Sequence, residues 1–137
     1  MKRVLVVANR TLCEQHLLDA IRARREAGSA AFYLLVPASH PPGSWTDAQA
    51  RREAGRRLEK SLQTLRIGGI PATGEVGDPS PVNAVGDLLR REPFDEIIVS
   101  TLPHGVSRWL RQNVLRRMTH FGLPVTHVVA EPVVDRV

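Results

Sequence analysis

Between an apolar run at residues 97–99 and an amphipathic stretch that starts near Val106, the chain reads Ser100-Thr-Leu-Pro-His-Gly105. A strand followed by a turn and a helix start is where an open α/β sheet holds anions. The first N–H groups of the helix lack partners there, and the helix dipole is positive. Ser100, Thr101, Ser107 and Asn113 could donate or accept hydrogen bonds to such a ligand, and His104, Arg108 and Arg111 could add positive charge. Asn9 and Arg10 follow the first apolar run and should sit across the same crevice.

Other chemistry is thinly represented. The single cysteine, Cys13, excludes an internal disulfide framework and a cysteine-based zinc site. Its place near a helical stripe reads as packing. His16, His40, His120 and His127 show no paired metal spacing, so no metal site is expected. No nucleophile–base pair can be argued from spacing, and no catalytic residue is assigned. Asp78 and Asp95 fall at a turn and a strand start and read as structural.

The elements that must position the turn are legible. Residues 3–8 (RVLVVA) and 31–36 (AFYLLV) are continuous apolar runs, the pattern of strands buried on both faces. Thr11 and Glu14 have capping-box spacing ahead of a first helix whose stripe is Cys13, Leu17, Ala20, Ile21 and Arg24. Thr46 and Gln49 repeat that spacing ahead of Ala50, Ala54, Leu58, Leu62 and Leu65, and Gly68-Gly69 ends the second helix. Residues 70–76 alternate apolar and polar, which suits an edge strand. Ser80 and Pro81 open the third helix as N-cap and first position. Residues 94–100 form the fourth strand. Val106, Leu110, Val114, Met118 and Phe121 predict one continuous fourth helix, and residues 125–130 form the fifth strand. The alternation β-α-β-α-β-α-β-α-β with short connections predicts a parallel sheet covered on both faces, in one domain over residues 1–137.

This layout resembles the universal stress protein family. The segments Gly74-Glu-Val-Gly-Asp-Pro79, Asp95-Glu-Ile-Ile-Val-Ser100 and Gly122-Leu-Pro-Val125 carry the resemblance. It implies a Rossmann-like three-layer α/β/α sandwich with a five-stranded parallel sheet in the order 3-2-1-4-5, the fold shared with adenine nucleotide alpha-hydrolases. It also implies a non-catalytic regulatory module in the stress response, with ATP or AMP as ligand. ATP-binding members carry G-x2-G-x9-G-(S/T). Here Gly105 stands for one glycine, and Gln112-Asn113 fall where Gly-Ser is expected. Thr101, Leu102 and Pro103 replace the rest of the turn, and Asn9 stands where an aspartate is common.

Carried over, the ligand-binding set is Ala8, Asn9, Val36, Pro37, Ser100, Thr101, His104, Gly105, Arg108, Gln112 and Asn113. Val36 and Pro37 would meet adenine through their backbone. An adenine nucleotide, another phosphate compound or an empty site all remain open. So does a dimeric scaffold of the same fold that binds no nucleotide.

The net charge is +5, but the arginines are spread over every predicted helix, so they read as solvated faces rather than a nucleic-acid surface. No apolar run approaches the roughly 20 residues that span a bilayer. The N-terminal run ends in Asn9 and Arg10 without a cleavage site, so a cytoplasmic protein is expected. The resemblance and the apolar fifth strand both imply a homodimer through Val125, His127, Val128 and Val129, with Val133 and Val134 beyond them.

Overall fold

The computed structural model describes residues 1–39, 46–103 and 107–130. Along the chain run β1 (Lys2–Val7), α1 (Gln15–Ala27), β2 (Ala30–Pro37), α2 (Asp47–Ile67) and β3 (Ala72–Gly77). Then come α3 (Pro81–Arg91), β4 (Glu96–Thr101), α4 (Arg108–Arg111), α5 (Val114–Thr119) and β5 (Val125–Val129). The five strands form one sheet in the order β3-β2-β1-β4-β5, and every described pairing is parallel. The order implied by the resemblance is therefore the one observed. β3 and β5 are its edges.

The two-sided apolar run of β1 has a direct cause. Successive side chains of a strand point to opposite faces. Val4, Val6 and Ala8 join Leu17, Ile21, Leu58 and Leu62 in the core on the α1–α2 side. Leu5 and Val7 join Val85, Leu88, Val114 and Met118 on the α3–α5 side. β1 is central, so both sets are fully buried. Each such aliphatic side chain contributes about 1.5–3 kcal/mol of burial free energy.

α2 follows its sequence pattern throughout. Thr46 accepts from the Gln49 backbone and the Gln49 side chain accepts from the Thr46 N–H, closing the capping box. Ala50, Ala54, Leu58, Leu62 and Leu65 are buried at helical period. Gly69 ends the element at φ 77°, a left-handed conformation that costs glycine nothing. Gly74 of β3 lies under α2. A Cβ there would overlap the Leu34 carbonyl oxygen and stand 2.8 Å from Leu58 Cδ1. Ser80 caps α3 with Pro81 at its first turn, as the sequence predicts.

Three expectations are corrected. The fourth helix is not continuous: α4 has four residues and α5 six, separated at Gln112-Asn113. Asn113 sits at φ 55°, in the left-handed region that asparagine tolerates better than most residues. The apolar period still holds where it buries Val114 and Met118, while Leu110 and Phe121 are half-buried; Val106 lies outside the described residues.

Thr11 does not cap α1. That helix starts at Gln15 with Glu14 as N-cap and no side-chain cap bond. Two tight turns precede it, closed by Leu12 N–H to Asn9 O and Glu14 N–H to Thr11 O. Cys13 therefore lies in a turn and is exposed, not packed inward, with Sγ 3.8 Å from Arg57 O.

The amino-terminal end of the sheet is tied by charge. Arg24 of α1 holds Glu96 of β4 in a two-pronged contact at 2.5 and 3.2 Å. The Glu96 bond holds the Arg24 guanidinium above its ordinary value. Asp95 accepts from Arg3 N–H at 2.7 Å, and the Arg3 guanidinium stacks 4.5 Å from the Phe94 ring centre. Asp95 is thus structural. Asp78 is too, accepting from Ser80 N–H in an aspartate turn.

Candidate functional site

The sequence-derived site lies at the carboxyl ends of β1, β2 and β4. In this strand order β1 and β4 are neighbours whose connections leave in opposite directions. That is the switch point at which open α/β sheets take ligands. The structure brings Ala8, Asn9, Val36, Pro37, Ser100 and Thr101 together there. All six are buried, Asn9 at 6% exposure and Ser100 at 2%.

Their polar groups face one another. Asn9 Nδ2 donates to Pro37 O at 2.7 Å, joining the end of β1 to the end of β2. Asn9 Oδ1 accepts from Arg57 Nη1 of α2 at 2.6 Å. Thr11 and Ser100 share a hydroxyl–hydroxyl bond of 2.6 Å across the β1–β4 boundary. Ser61 Oγ donates to Leu12 O at 3.3 Å and holds the same turn from α2. Burial without such partners would cost about 1–3 kcal/mol per group.

Thr101 Oγ1 lies 2.8 Å from His127 Nε2 on β5. A hydroxyl within reach of an imidazole is the arrangement of a nucleophile and its base. Thr101 is only 3% exposed, however, so the pair reads as a strand-to-strand tie.

Beside this sealed junction, on the α3–α5 side, opens a cleft of about 510 Å³. Ser39 follows β2 and forms one end. Pro79, Ser80, Pro81 and Val82 form the α3 wall, and Arg108, Trp109, Gln112, Val114 and Arg117 form the other. The size lies within the usual range for small-molecule sites, ~300–1,000 Å³. Trp109 is buried in the core and gives the cleft a firm apolar flank. Arg108, Gln112 and Arg117 are exposed, and no ion pair joins Arg117 to another described residue. A guanidinium opposite an open cavity is suited to a two-pronged grip on phosphate.

Of the sequence-derived residues, Arg108 and Gln112 thus line the cleft, and exposed Asn113 marks the helix break next to it. His104 and Gly105 lie outside the described residues. The dipole argument made for the fourth helix weakens, since four residues carry little of it and Ser107 Oγ already accepts from Leu110 N–H.

Sequence reasoning missed Arg57, Thr11 as a partner of Ser100, Ser39 and Arg117. Arg57 had a signal: it lies three and seven residues after Ala54 and Ala50, on the flank of the inward stripe. Arg117 had none beyond being one of many helix arginines.

No protein-family model matches the sequence, and no curated protein matches it. Solved structures do. A universal stress protein from Archaeoglobus fulgidus superposes with TM-score 0.66 at 14% identity, over 93% of each chain. The fold is that of the universal stress proteins. A member of that family from Arabidopsis thaliana with AMP bound gives TM-score 0.65 at 13% identity, over 96% of this chain and 93% of that one. The A. fulgidus universal stress protein in complex with dAMP gives 0.62 at 16%, over 93% and 97%. At these identities the universal stress protein likeness is one of architecture: the same sheet, with the chain's own side chains at its carboxyl end.

The remaining chemistry on the sheet is structural. Glu75 of β3 accepts from Tyr33 at 2.6 Å and from Arg91 at 2.7 Å. Burial and the Glu75 bond push the Tyr33 hydroxyl well above its ordinary range. Burial raises the Glu75 carboxyl, but the bonds from Tyr33 and Arg91 outweigh it and the net shift is down. Among the described residues no group of three or more His, Cys, Asp or Glu side chains could hold a metal ion. Nor, among the described residues, is any helix long and apolar enough to cross a membrane.

Proposed function

We propose that the protein is a cytoplasmic, non-catalytic binding module of the universal stress protein type. It holds a phosphate-bearing ligand, AMP or ATP among them, in the cleft between α3 and α4–α5. The observation that carries this reading is the cleft itself. Two arginines and a glutamine face a cavity of small-molecule size at the carboxyl end of a parallel sheet. Solved structures of the same fold that hold AMP and dAMP support the ligand class. The reading has no catalytic step, since the buried hydroxyls of Ser100 and Thr101 are engaged within the protein.

The module is proposed to act as a homodimer through β5. That strand is a sheet edge, and Val125, Val128 and Val129 on it are only half-buried in one chain. Pairing it with a second copy would cover them and complete its ladder. Static light scattering at micromolar concentration should then return twice the chain mass; a monomer defeats the dimer.

For the ligand, native mass spectrometry of the purified protein followed by calorimetric titration with AMP and ATP is the test. Binding at or below millimolar concentration is expected. Failure of both to bind overturns the ligand reading and leaves the scaffold alternative, which the paired groups at the β1–β4 junction favour.

A further inference from the structure

The arginines are spread over every helix, but the carboxylates are not. From Ile97 to Ala130 the chain has four arginines and no Asp or Glu, so this segment carries four of the five net positive charges. On the other helices many arginines have a carboxylate beside them: Arg24 has Glu96, Arg56 and Arg57 have Glu53, Arg90 has Asp87 and Arg91 has Glu75. On α4 and α5, Arg108, Arg111, Arg116 and Arg117 are all exposed. The last three form no ion pair with another described residue.

These side chains share one face. Trp109 of α4 and Val114 and Met118 of α5 sink into the same core cluster. Arg111 lies two positions after Trp109, and Arg116 lies two from both Val114 and Met118. Two positions turn a helix by about 200°, so both arginines point away from that core. Arg108 and Arg117 continue the face to the rim of the cleft, which they line.

We infer that the α4–α5 face binds the sugar–phosphate backbone of a nucleic-acid duplex, by charge and without reading sequence. This is a second surface, since Arg111 and Arg116 do not line the ligand cleft. The surroundings choose the occupant. Guanidinium groups match phosphate oxygens in two-pronged contacts. Gln112, Asn113 and Thr119, also exposed here, can donate to phosphate or sugar oxygens. A protein partner calls for an apolar anchor at the centre of its interface. The exposed large hydrophobics among the described residues, Met1 and Ile67, lie on other parts of the chain. A single strand calls for aromatic platforms, and no aromatic side chain is exposed among the described residues. A polar, strongly positive surface is the composition of a duplex interface.

The test is fluorescence anisotropy of a labelled DNA duplex of mixed sequence, titrated with the full chain between about 50 and 200 mM salt. Four phosphate contacts predict a log–log slope of affinity against salt of about −3.5. Arg111→Ala with Arg116→Ala should reduce its magnitude by about 2, one unit for each contact. Arg51→Ala with Arg52→Ala removes the same charge from exposed positions on α2 and should leave the slope unchanged. The substituted side chains are all exposed, a thermal melt confirms that both variants fold, and the wild-type slope tests the inference without them.

No binding at the lowest salt overturns the inference, as does an equal loss of slope in the two double variants, which would make net charge the cause. Tighter binding of a single strand than of the duplex overturns it as well. Displacement of the duplex by polyglutamate at equal charge overturns it in favour of an acidic protein segment. None of these results bears on the cleft, whose ligand is tested separately with AMP and ATP.

Discussion

At the junction between β1 and β4, Thr11 and Ser100 join their hydroxyls and Asn9 divides its amide between Pro37 and Arg57. In the cleft beside it, Arg117 and Gln112 stand exposed over a cavity of about 510 Å³. Both regions are polar, and both lie at the carboxyl end of the same sheet. The first uses its polar groups to hold strand ends together in a buried setting, where an unmade bond is costly. The second leaves charge in water, where it is cheap to keep and available to a ligand. Polar residues at a switch point are therefore not a ligand site by type alone. What decides is whether their bonds are already made.

The contrast breaks most directly at Thr11. Thr11→Val keeps the shape but leaves the Ser100 hydroxyl, 2% exposed, without its partner. The expected loss is about 1–3 kcal/mol in urea denaturation. Replacing both, Thr11→Val with Ser100→Ala, should recover most of it, because no buried donor is then orphaned. A single variant as stable as the wild type would show that the junction is not held by this bond.

Arg117→Ala should behave in the opposite way. Stability should stay within about 0.5 kcal/mol, since the side chain is exposed and unpaired among the described residues. Affinity for phosphate compounds should fall about tenfold, equivalent to about 1.4 kcal/mol. Unchanged affinity in calorimetry would remove Arg117 from the site.

The smallest effect concerns Glu75, an ionic contact that is neither sealed nor open. Its folded-state pKa is lowered, so its carboxylate stabilises the fold above the ordinary value of 4.5. That contribution fades as pH falls through the folded value. Glu75→Gln should therefore melt below the wild type near neutral pH, and the gap should narrow in acid. A gap that is constant with pH would mean that the Tyr33 and Arg91 bonds contribute packing rather than charge.

Much of the architecture was legible in the chain. The apolar runs of β1 and β2, the Thr46–Gln49 capping box and the Ser80-Pro81 start of α3 all act within a few residues, and each formed as its pattern predicts. The edge character of β3 was also visible, because half-polar alternation reflects a face that one helix covers incompletely. The end of the fourth helix segment was less legible. The apolar period runs through 110, 114 and 118, yet Gln112-Asn113 breaks it, since period describes which face is buried and not whether the backbone continues. Thr11 shows the same limit: capping-box spacing offered it a local partner, and a distant hydroxyl took it instead.

By itself, then, the sequence determined the elements, their two-sided burial and the general place where a ligand could enter. These follow from local periodicity and turn chemistry. Only the tertiary structure decided which polar groups there are spent. Thr11 meets Ser100 across 89 residues, and Asn9 meets Arg57 across 48. A hydrogen bond needs its two atoms within about 3 Å, and no local pattern specifies a distance across that much chain. Packing set those distances, and with them it moved the open chemistry from the strand ends to the cleft at Gln112 and Arg117.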